Sequence, residues 1–356
     1  MRILQLIDSL HTGGGEMMAV HLANLLKDEH ESHLMVTRTE GPLKQKILPG
    51  VHYQFLGKKS SIDPLAFLRF IRYIRKHKIQ IVHAHSTSVF MPLLLRKLLP
   101  RKTKIVWHDH HGVPVQERAY FKMLKKLSDK IDFYLAISPE QERNNLHYLD
   151  LPPEKHRFLR NFAVLDTSCE HLKKENSIVL LANLHDRKNQ FLAVDALSLI
   201  KETLKDWKVQ FIGKDDNDDY SKKLKKYISD KGLNDIIEIV ANKSVTGAYL
   251  CQAKIGILSS KAEGLPLAIL EYGLAGLAVV STNVGGISDV IEHEVNGLLV
   301  PPGNARKFAG ALASLIEHES VRQLYARRLQ EKVKKNYSAD NYKNRLTEIY
   351  GRLLSS

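Results

Sequence analysis

Short apolar segments alternate with amphipathic ones along almost the whole chain, and this alternation constrains the fold more than any other feature. In the first half, segments with the length and composition of buried strands fall at residues 2–7, 33–37, 80–84, 104–107 and 133–137. The segment 16–27, between the first two, has the apolar spacing of an amphipathic helix. Strands that alternate with helices predict an α/β architecture with a doubly wound parallel sheet.

A second alternation begins after a break near residues 151–176. The break contains Pro152, Pro153 and a polar run at 168–177, which are typical of a domain junction. Beyond it we predict strands at 178–181, 208–212, 236–240, 255–258 and 278–281, and a final helix at 340–354. A chain of 356 residues is long for one core, so two domains are expected.

The composition is ordinary for a soluble protein, with 26% charged and 44% hydrophobic residues. No apolar run reaches the roughly 18 residues of a membrane span, and the first residues predict a strand rather than a signal peptide. The only cysteines, Cys169 and Cys251, lack metal-ligand spacing, so we expect inert packing residues. This cysteine usage indicates a cytoplasmic protein.

The net charge of +14 is concentrated in the first half of the chain. Residues 58–130 contain 17 Lys and Arg against four acidic residues, which leaves +13. The bases lie in three segments predicted to be amphipathic helices, at 64–78, 90–99 and 115–130. Such helices suit an anionic membrane surface, although apolar stripes that face the core with a solvated basic face would give the same pattern. No recognised nucleic-acid-binding motif accompanies the charge.

Glu263 and Glu271 stand eight residues apart around a Gly-Leu-Pro turn that opens an apolar helix. Eight helical residues rotate about 80° beyond two full turns, so both carboxylates could face the same end of a cleft. The N–H groups at the helix start favour an anion such as a phosphate. Strands predicted before and after this segment place it at the carboxyl edge of a parallel sheet, where α/β folds bind ligands. Solvated surface carboxylates are the alternative reading.

This segment resembles the E-x7-E signature of retaining glycosyltransferases with the GT-B fold, in particular the large GT4-type family. The resemblance implies two Rossmann-like domains that face each other across a cleft, with an acceptor-binding domain at 1–165 and a nucleotide-sugar-binding domain at 166–339. A C-terminal helix, 340–356, would cross back to the first domain.

The same resemblance assigns roles to the residues of the segment. Glu263 would hydrogen-bond sugar hydroxyls as a catalytic and donor-binding residue. Gly264, Leu265 and Pro266 would form the donor-binding turn, with backbone N–H groups offered to the sugar or the phosphates. Glu271 would bind the ribose hydroxyls of the donor.

A glycine-rich turn follows the first predicted strand. It fails as a dinucleotide-binding fingerprint, because Met18 stands where the third glycine belongs. It resembles the Gly-Gly-Ala-Glu segment of GT4-type enzymes, with Gly15 in place of the alanine. The resemblance implies that Gly14 and Gly15 lie near the donor diphosphate and the acceptor.

Three histidines, His108, His110 and His111, cluster directly after a predicted strand. A metal site is disfavoured because zinc needs about four ligands and neither cysteine is placed to help. The family has a histidine after this strand that contacts the donor sugar or the reacting region. We expect this catalytic role for His108, as the first residue after the strand, and then for His110. His83 and His85 are expected to be structural or to line the cleft.

The loop after the first strand of the second domain resembles the family's Gly-Arg-Leu segment, which is followed by a lysine. Lys188 matches that lysine, which binds the donor diphosphate. Asn183 replaces the arginine, and Arg187 is a plausible substitute for the lost charge. Ser138 matches a small polar position at the end of a strand that lines the cleft.

The resemblance implies sugar transfer from a nucleoside diphosphate sugar to an acceptor hydroxyl, with retention and without a bound metal. No Asp-x-Asp metal motif is evident, since the acidic pairs at 215–216 and 218–219 lie in a polar stretch. With the basic first domain, we expect a lipid-linked acceptor in bacterial surface polysaccharide synthesis. The alternatives are a nucleotide-sugar epimerase of the same fold and an inactive nucleotide-sugar-binding protein.

Overall fold

The computed structural model describes residues 1–110, 117, 119–243 and 245–355. It divides into two compact units, one formed by Met1–Asn161 with Ala339–Ser356 and the other by Phe162–Ser338. Among the described residues, no helix combines the length and the apolar character needed to cross a bilayer.

Strands and helices alternate through the first unit as the sequence predicts. In chain order the elements are β1 (Arg2–Ser9), α1 (Gly14–Leu26), β2 (Glu31–Thr39), β3 (His52–Phe55), α2 (Pro64–Lys76), β4 (Ile81–His85), α3 (Phe90–Leu94), β5 (Lys104–Asp109), α4 (Phe121–Leu127), β6 (Phe133–Ala136), α5 (Pro139–Leu149) and β7 (His156–Phe158). The strands form one sheet in the order β3-β2-β1-β4-β5-β6-β7, and every pairing is parallel.

The second unit repeats this plan. Its elements are β8 (Ser177–Leu181), α6 (Gln190–Leu199), β9 (Lys208–Gly213), α7 (Asp219–Asp230), β10 (Ile237–Ala241), α8 (Gly247–Gln252), β11 (Ile255–Leu258), α9 (Leu267–Leu274), β12 (Ala278–Thr282), α10 (Ile287–Val290), β13 (Leu298–Val300), α11 (Ala305–Glu317) and α12 (Glu319–Asn336). The parallel sheet has the order β10-β9-β8-β11-β12-β13.

The last helix, α13 (Ala339–Ser355), belongs to the first unit. It buries Tyr342, Leu346, Ile349 and Tyr350. The fold-class prediction of two Rossmann-like sheets with a C-terminal helix that returns to the first is confirmed. In each sheet the strand order reverses beside the first strand, β1 or β8, and loops at the carboxyl ends there are the usual ligand sites of such folds.

Two of the predicted basic helices are shorter than expected. Helix α2 matches the prediction, but the segment 90–99 is helical only to Leu94 and continues as a 3-10 turn over Arg96–Leu98. Pro100 follows, and it restricts Leu99 to the extended conformation observed at φ −77° and ψ 153°. In the segment 115–130 the described α-helix covers only Phe121–Leu127 and ends in a 3-10 turn.

The expectation that Cys169 and Cys251 are separate packing residues is wrong. The structure joins them in a disulfide, with their Cα atoms 5.0 Å apart. Cys251 is buried in α8, and the bond ties this helix to the segment that precedes β8.

Candidate active site

Glu263 lies in the loop between β11 and α9, at the carboxyl edge of the second sheet. Its Oε1 atom accepts hydrogen bonds from Lys188 Nζ and from Ser260 Oγ, both at 2.6 Å. Only 6% of the Glu263 side chain is exposed, against 26% of the Lys188 side chain. A carboxylate whose Oε1 atom accepts from two donors in this way has a fixed direction, which suits recognition of sugar hydroxyls.

The loop after β8 is bonded directly to the loop after β11. Ser259 Oγ donates to the Lys188 carbonyl at 3.0 Å, and the Lys261 backbone N–H donates to the Arg187 carbonyl at 2.8 Å. The Arg187 side chain is exposed. Both predicted diphosphate-binding cations therefore lie on one loop at this edge of the sheet.

Asn183, which stands where the family has an arginine, is engaged within the fold. Its Oδ1 atom accepts the Lys214 backbone N–H at 3.0 Å, and its carbonyl accepts from Gln190 Nε2 at 2.9 Å. The residue thus connects the loop after β9 to the start of α6. It contributes hydrogen bonds here and no positive charge.

Helix α9 begins at Leu267, so the helical rotation argued from the sequence does not apply to Glu263. This residue lies in the preceding loop, and only Glu271 lies in the helix, where it is partly buried. Pro266 is the N-cap residue and no side chain caps the helix start. The two carboxylates are therefore placed by the loop conformation and not by a shared helical face.

Gly285 is a site residue that the sequence reasoning missed. Its φ is +55°, and a Cβ atom there would lie 1.9 Å from the Glu263 carbonyl oxygen, so only glycine fits. The next N–H, of Gly286, donates to the Gly264 carbonyl at 2.7 Å. The available signal was the Gly285–Gly286 pair in the loop after β12. The loop after β12 thus supports the Glu263–Gly264 turn.

In the first unit, helix α1 begins at Gly14 with no side-chain cap at Gly13. A side chain at Gly14 would meet nothing within 4 Å, whereas one at Gly15 would meet the His110 ring at 3.2 Å. The glycine-rich turn is therefore open at Gly14 and packed against a histidine at Gly15. Ser138 follows β6, and its Oγ caps α5 by accepting the Gln141 N–H at 3.0 Å.

The histidines predicted from the sequence form a packed set of rings in the first sheet. Strand β5 extends to Asp109, so His108 lies within the strand and is fully buried, and His110 is the first residue after it. His85 Nδ1 lies 2.8 Å from His110 Nε2, and the two rings are stacked with an interplanar angle of 8°. His83 Nε2 bonds His108 Nδ1 at 3.1 Å. His111 lies outside the described residues.

Burial keeps these strand histidines neutral. It lowers the pKa of His83 to about 3, with a further contribution from neighbouring His110. Burial, and then the nearby histidines, lower the pKa of His85 and of His108 well below the ordinary value. Neutral His85 donates from Nε2 to Gln5 Oε1 at 2.9 Å, so its Nδ1 accepts from His110. His85 thereby orients His110 at the carboxyl edge.

Two family models match the chain. The model described as glycosyl transferases group 1 matches residues 166–336, and the glycosyltransferase family 4 model matches residues 12–166. Together they span both units.

Similar proteins include bacterial glycosyltransferases. The capsular polysaccharide biosynthesis glycosyltransferase CapH of Staphylococcus aureus is 23% identical over 82% of this chain and 84% of its own length. A Campylobacter jejuni α-1,4-N-acetyl-D-galactosaminyltransferase, whose name gives a PP-undecaprenol-linked glycan as its substrate, is 21% identical over 91% of each chain.

Among solved structures, Anabaena Alr3699/HepE in complex with UDP-glucose superposes with a TM-score of 0.82. The match covers 99% of this chain and 100% of HepE at 17% sequence identity. At this identity the likeness establishes the fold.

Proposed function

The chain belongs to the glycosyl transferases group 1 family, and we propose that it transfers a sugar from a nucleoside diphosphate to an acceptor hydroxyl with retention of the anomeric configuration. The observation that carries this proposal is the fixed Glu263 carboxylate beside Lys188 at the carboxyl edge of the second sheet. The loop after β12 packs against the Glu263 backbone at Gly285 and so supports the turn that carries this carboxylate.

The donor contacts follow from the charges at this edge. Lys188 and Arg187 are the cations for the diphosphate, and the open N-terminus of α9 adds backbone N–H groups. Glu263 receives the sugar hydroxyls, and Glu271 receives the ribose hydroxyls. Because negative charge grows on the diphosphate as the glycosidic bond breaks, Lys188 stabilises the transition state more than the ground state.

We propose that these groups act without a bound metal ion. Positive charge from Lys188, Arg187 and the helix N-terminus meets the developing charge of the leaving group. The acidic pairs at 215–216 and 218–219, which would be the candidates for a metal motif, have other partners. Asp215 pairs with Lys225 and Asp216 pairs with Lys214, each at 2.6 Å. Asp218 caps α7 by accepting the Ser221 N–H at 2.9 Å, and Asp219 is the first residue of that helix.

In the first unit, we assign His110 and the turn at Gly14–Gly15 to the reacting region and the acceptor. His110 lies at the carboxyl edge of the first sheet, and His85 fixes its ring. The sequence favoured His108 for this role. We assign it a structural role instead, because it lies within β5 and its ring is bonded to His83.

The acceptor proposed here is a lipid-linked glycan, used in bacterial surface polysaccharide synthesis. CapH is named for capsular polysaccharide and the Campylobacter relative for an undecaprenol-linked substrate. An enzyme that acts on such a lipid must work at a membrane surface. Its own surface should therefore carry groups that bind a membrane.

The basic helices of the first unit carry such groups. Large apolar side chains are exposed among the bases on α2, on α3 with its 3-10 turn, and on α4: Leu65, Leu68, Leu94, Leu98 and Met123. Arg75 Nη2 donates to the Leu98 carbonyl at 3.0 Å, and α3 packs against α4, so these elements adjoin. Exposed apolar tips surrounded by lysines and arginines suit the interface of an anionic bilayer, where each base contributes roughly 1 kcal/mol.

Transfer can be tested with labelled donors and a bacterial lipid extract. The donors are UDP-, GDP-, ADP- and dTDP-sugars, with UDP-sugars first because HepE was solved with UDP-glucose. One nucleotide series should label the lipid, and Lys188→Ala should lower the rate about 10²–10³-fold. Lys226→Ala, on the exposed face of α7, is the matched control and should keep the rate. Undiminished transfer by Lys188→Ala would remove the proposed donor site.

Membrane binding has a separate test. Wild-type protein should sediment with liposomes that contain anionic lipid, and less so at high salt. Changing Lys122, Lys125 and Lys126 to Gln should abolish sedimentation. In the matched control, three exposed lysines on α7 of the second unit, Lys222, Lys223 and Lys226, are changed to Gln. No sedimentation of the wild type, or equal loss in both triple variants, would contradict the proposed surface.

A further inference from the structure

A second group of histidines lies at the opposite end of the first sheet from Gly14 and His110. It is found at the amino ends of the edge strand β3 and of its neighbour β2. We call it the edge cluster, and it consists of Glu31, His33, His52 and His77.

Three separate elements bring the edge cluster together. Glu31 and His33 are two residues apart on β2, so their side chains share one face of the sheet. His33 pairs with His52 in the parallel register of β2 and β3. His77 is the C-cap residue of α2, which packs over this face, and its ring centre lies 5.2 Å from that of His33.

Contacts within the cluster fix His33 and leave its neighbours adjustable. His33 is fully buried, with Nε2 3.1 Å from Glu31 Oε1 and Nδ1 2.8 Å from the Tyr73 hydroxyl. The His52 ring stacks on His33 at 4.8 Å. Glu31 and His52 are exposed and His77 is partly exposed, so solvent reaches the cluster from one side.

We propose that the edge cluster binds one divalent transition-metal ion of the zinc class. Glu31, His33 and His77 each offer a ligand atom, and these atoms all lie within 4.8 Å of one another. In a tetrahedral site with metal–ligand bonds of about 2.0–2.1 Å, the ligand atoms stand about 3.4 Å apart. Side-chain rotation of Glu31 and His77 would bring the ligand atoms from within 4.8 Å to about 3.4 Å of one another. His52 or water would supply the fourth ligand.

The contacts of His33 also supply the support that a metal-bound imidazole requires. A ligating histidine usually donates its second ring N–H to an oxygen, which fixes the ring. When His33 Nε2 binds the ion, the ring proton lies on Nδ1 and is donated to the Tyr73 hydroxyl oxygen, 2.8 Å away. The ion takes the place of the Nε2 proton that now faces Glu31. The imidazole is neutral in both states.

The buried histidines of the same sheet are a poorer metal site. Ligand atoms of His83, His85 and His108 also lie within 4.8 Å of one another. Within the part of the chain that the structure describes, however, every ring nitrogen of this group except His108 Nε2 is already hydrogen bonded. All three residues are fully buried, so an ion would have to break those bonds and lose its water without an open side to enter by.

The ion in the edge cluster would act as a cross-link. It would join β2 to the end of α2, the helix that carries part of the basic surface, and with His52 as the fourth ligand it would also hold the edge strand β3. Binding to the folded state alone raises the melting temperature by mass action. This site is independent of the sugar-transfer chemistry, because its ligands lie at the other end of the strands.

The full chain, freed of metal with a chelator, can be titrated with Co²⁺ and then Zn²⁺. Wild-type protein should give the visible absorption of Co²⁺ with nitrogen and oxygen ligands, bleached by one equivalent of Zn²⁺, and Zn²⁺ should raise its melting temperature. The double variant Glu31→Gln/His77→Gln should lose at least 100-fold in Zn²⁺ affinity in competition with a chromogenic chelator. His147→Gln, at an exposed position of α5, is the matched control.

Both substituted side chains lie at least partly at the surface, so the metal-free double variant should melt close to the wild type. If it does not, His77→Gln alone serves as the second variant, and its Zn²⁺ affinity should be lower than that of the wild type by at least 10-fold. A Co²⁺ spectrum and Zn²⁺ affinity unchanged in these variants would overturn the proposal. So would a wild type that gives no Co²⁺ spectrum and does not compete with the chelator.

Discussion

The first unit should lose stability steeply between pH 7.5 and pH 5.5, because four histidines, His33, His83, His85 and His108, are buried in its sheet in the neutral form. Burial lowers the pKa of His33 to about 4 and that of His83 to about 3, and it lowers those of His85 and His108 well below the ordinary value. In the unfolded chain each returns to a pKa near 6.5.

The sign and size of the effect follow from this difference. Below pH 6.5 the unfolded chain binds protons that the folded unit excludes, so the free energy of unfolding is at its full value above pH 6.5 and falls as the pH decreases. At pH 5.5 each histidine lowers it by about 1.4 kcal/mol. Together the four lower it by about 5.5 kcal/mol, a large part of the roughly 5–15 kcal/mol typical of a domain.

The two tryptophans allow each unit to be followed separately. Trp107 lies in β5 of the first unit, and Trp207 lies in the second. In a Trp207→Phe variant, urea unfolding followed by fluorescence reports on the first unit and should show the pH-dependent loss. In a Trp107→Phe variant it reports on the second unit, whose described histidines are all exposed, and should vary little over the same range.

One substitution isolates a single histidine. In the Trp207→Phe background, His83→Gln should reduce the loss between pH 7.5 and pH 5.5 by about a quarter, whatever it does to stability at pH 7.5. If the unfolding free energy of the first unit falls by less than about 1 kcal/mol over this range, the reasoning from burial to neutral histidines is refuted.

Two further predictions concern packing, one in each unit. Gly285→Ala should lower the unfolding free energy of the second unit by about 3 kcal/mol, because its Cβ would overlap the Glu263 carbonyl oxygen. Gly303→Ala, which also has a positive φ but meets nothing within 4 Å, should lower it by about 1 kcal/mol; equal effects in urea unfolding would contradict the overlap. Tyr350→Phe removes the hydroxyl bonded to His83 Nδ1 and should lower the unfolding free energy of the first unit by about 1 kcal/mol. An unchanged urea midpoint would mean that this bond contributes nothing.

The central strands of both sheets could be predicted because they are buried on both faces and therefore read as continuous apolar runs, whereas the short edge strands β3, β7 and β13 give no such run of strand length and were missed. Every residue of β4 and of β11 is buried, and each lies beside the first strand of its sheet. The loops that follow such strands could be placed at the ligand-binding edge on the same grounds. The pairing of Lys188 with Glu263 agrees with that placement.

Details that depend on loop conformation could not be predicted. The sequence does not reveal that α9 starts only at Leu267, that β5 includes His108, or that the backbone at Gly285 approaches Glu263. The first two depend on the residue at which a helix begins or a strand ends, which residue propensities define poorly. The third depends on how two loops meet in the fold.

Contacts between distant segments were also beyond the sequence. Cys169 and Cys251 are 82 residues apart, and their pairing follows from the position of α8 beside the segment before β8. The edge cluster depends on the register of β2 against β3 and on where α2 ends. Neither leaves a local pattern that spacing along the chain could detect.

The central claim is that the carboxyl edge of the second sheet binds a nucleoside diphosphate sugar. The most direct test is a thermal-shift series with UDP-, GDP-, ADP- and dTDP-sugars on the wild type, on Glu271→Ala and on Glu317→Ala, an exposed control in α11. One nucleotide series should raise the wild-type melting temperature, with about 2.7 kcal/mol of stabilisation at a ligand concentration 100 times Kd. The shift should persist in Glu317→Ala and diminish in Glu271→Ala. No shift with any donor, or an equal shift in all three proteins, would contradict the proposed site.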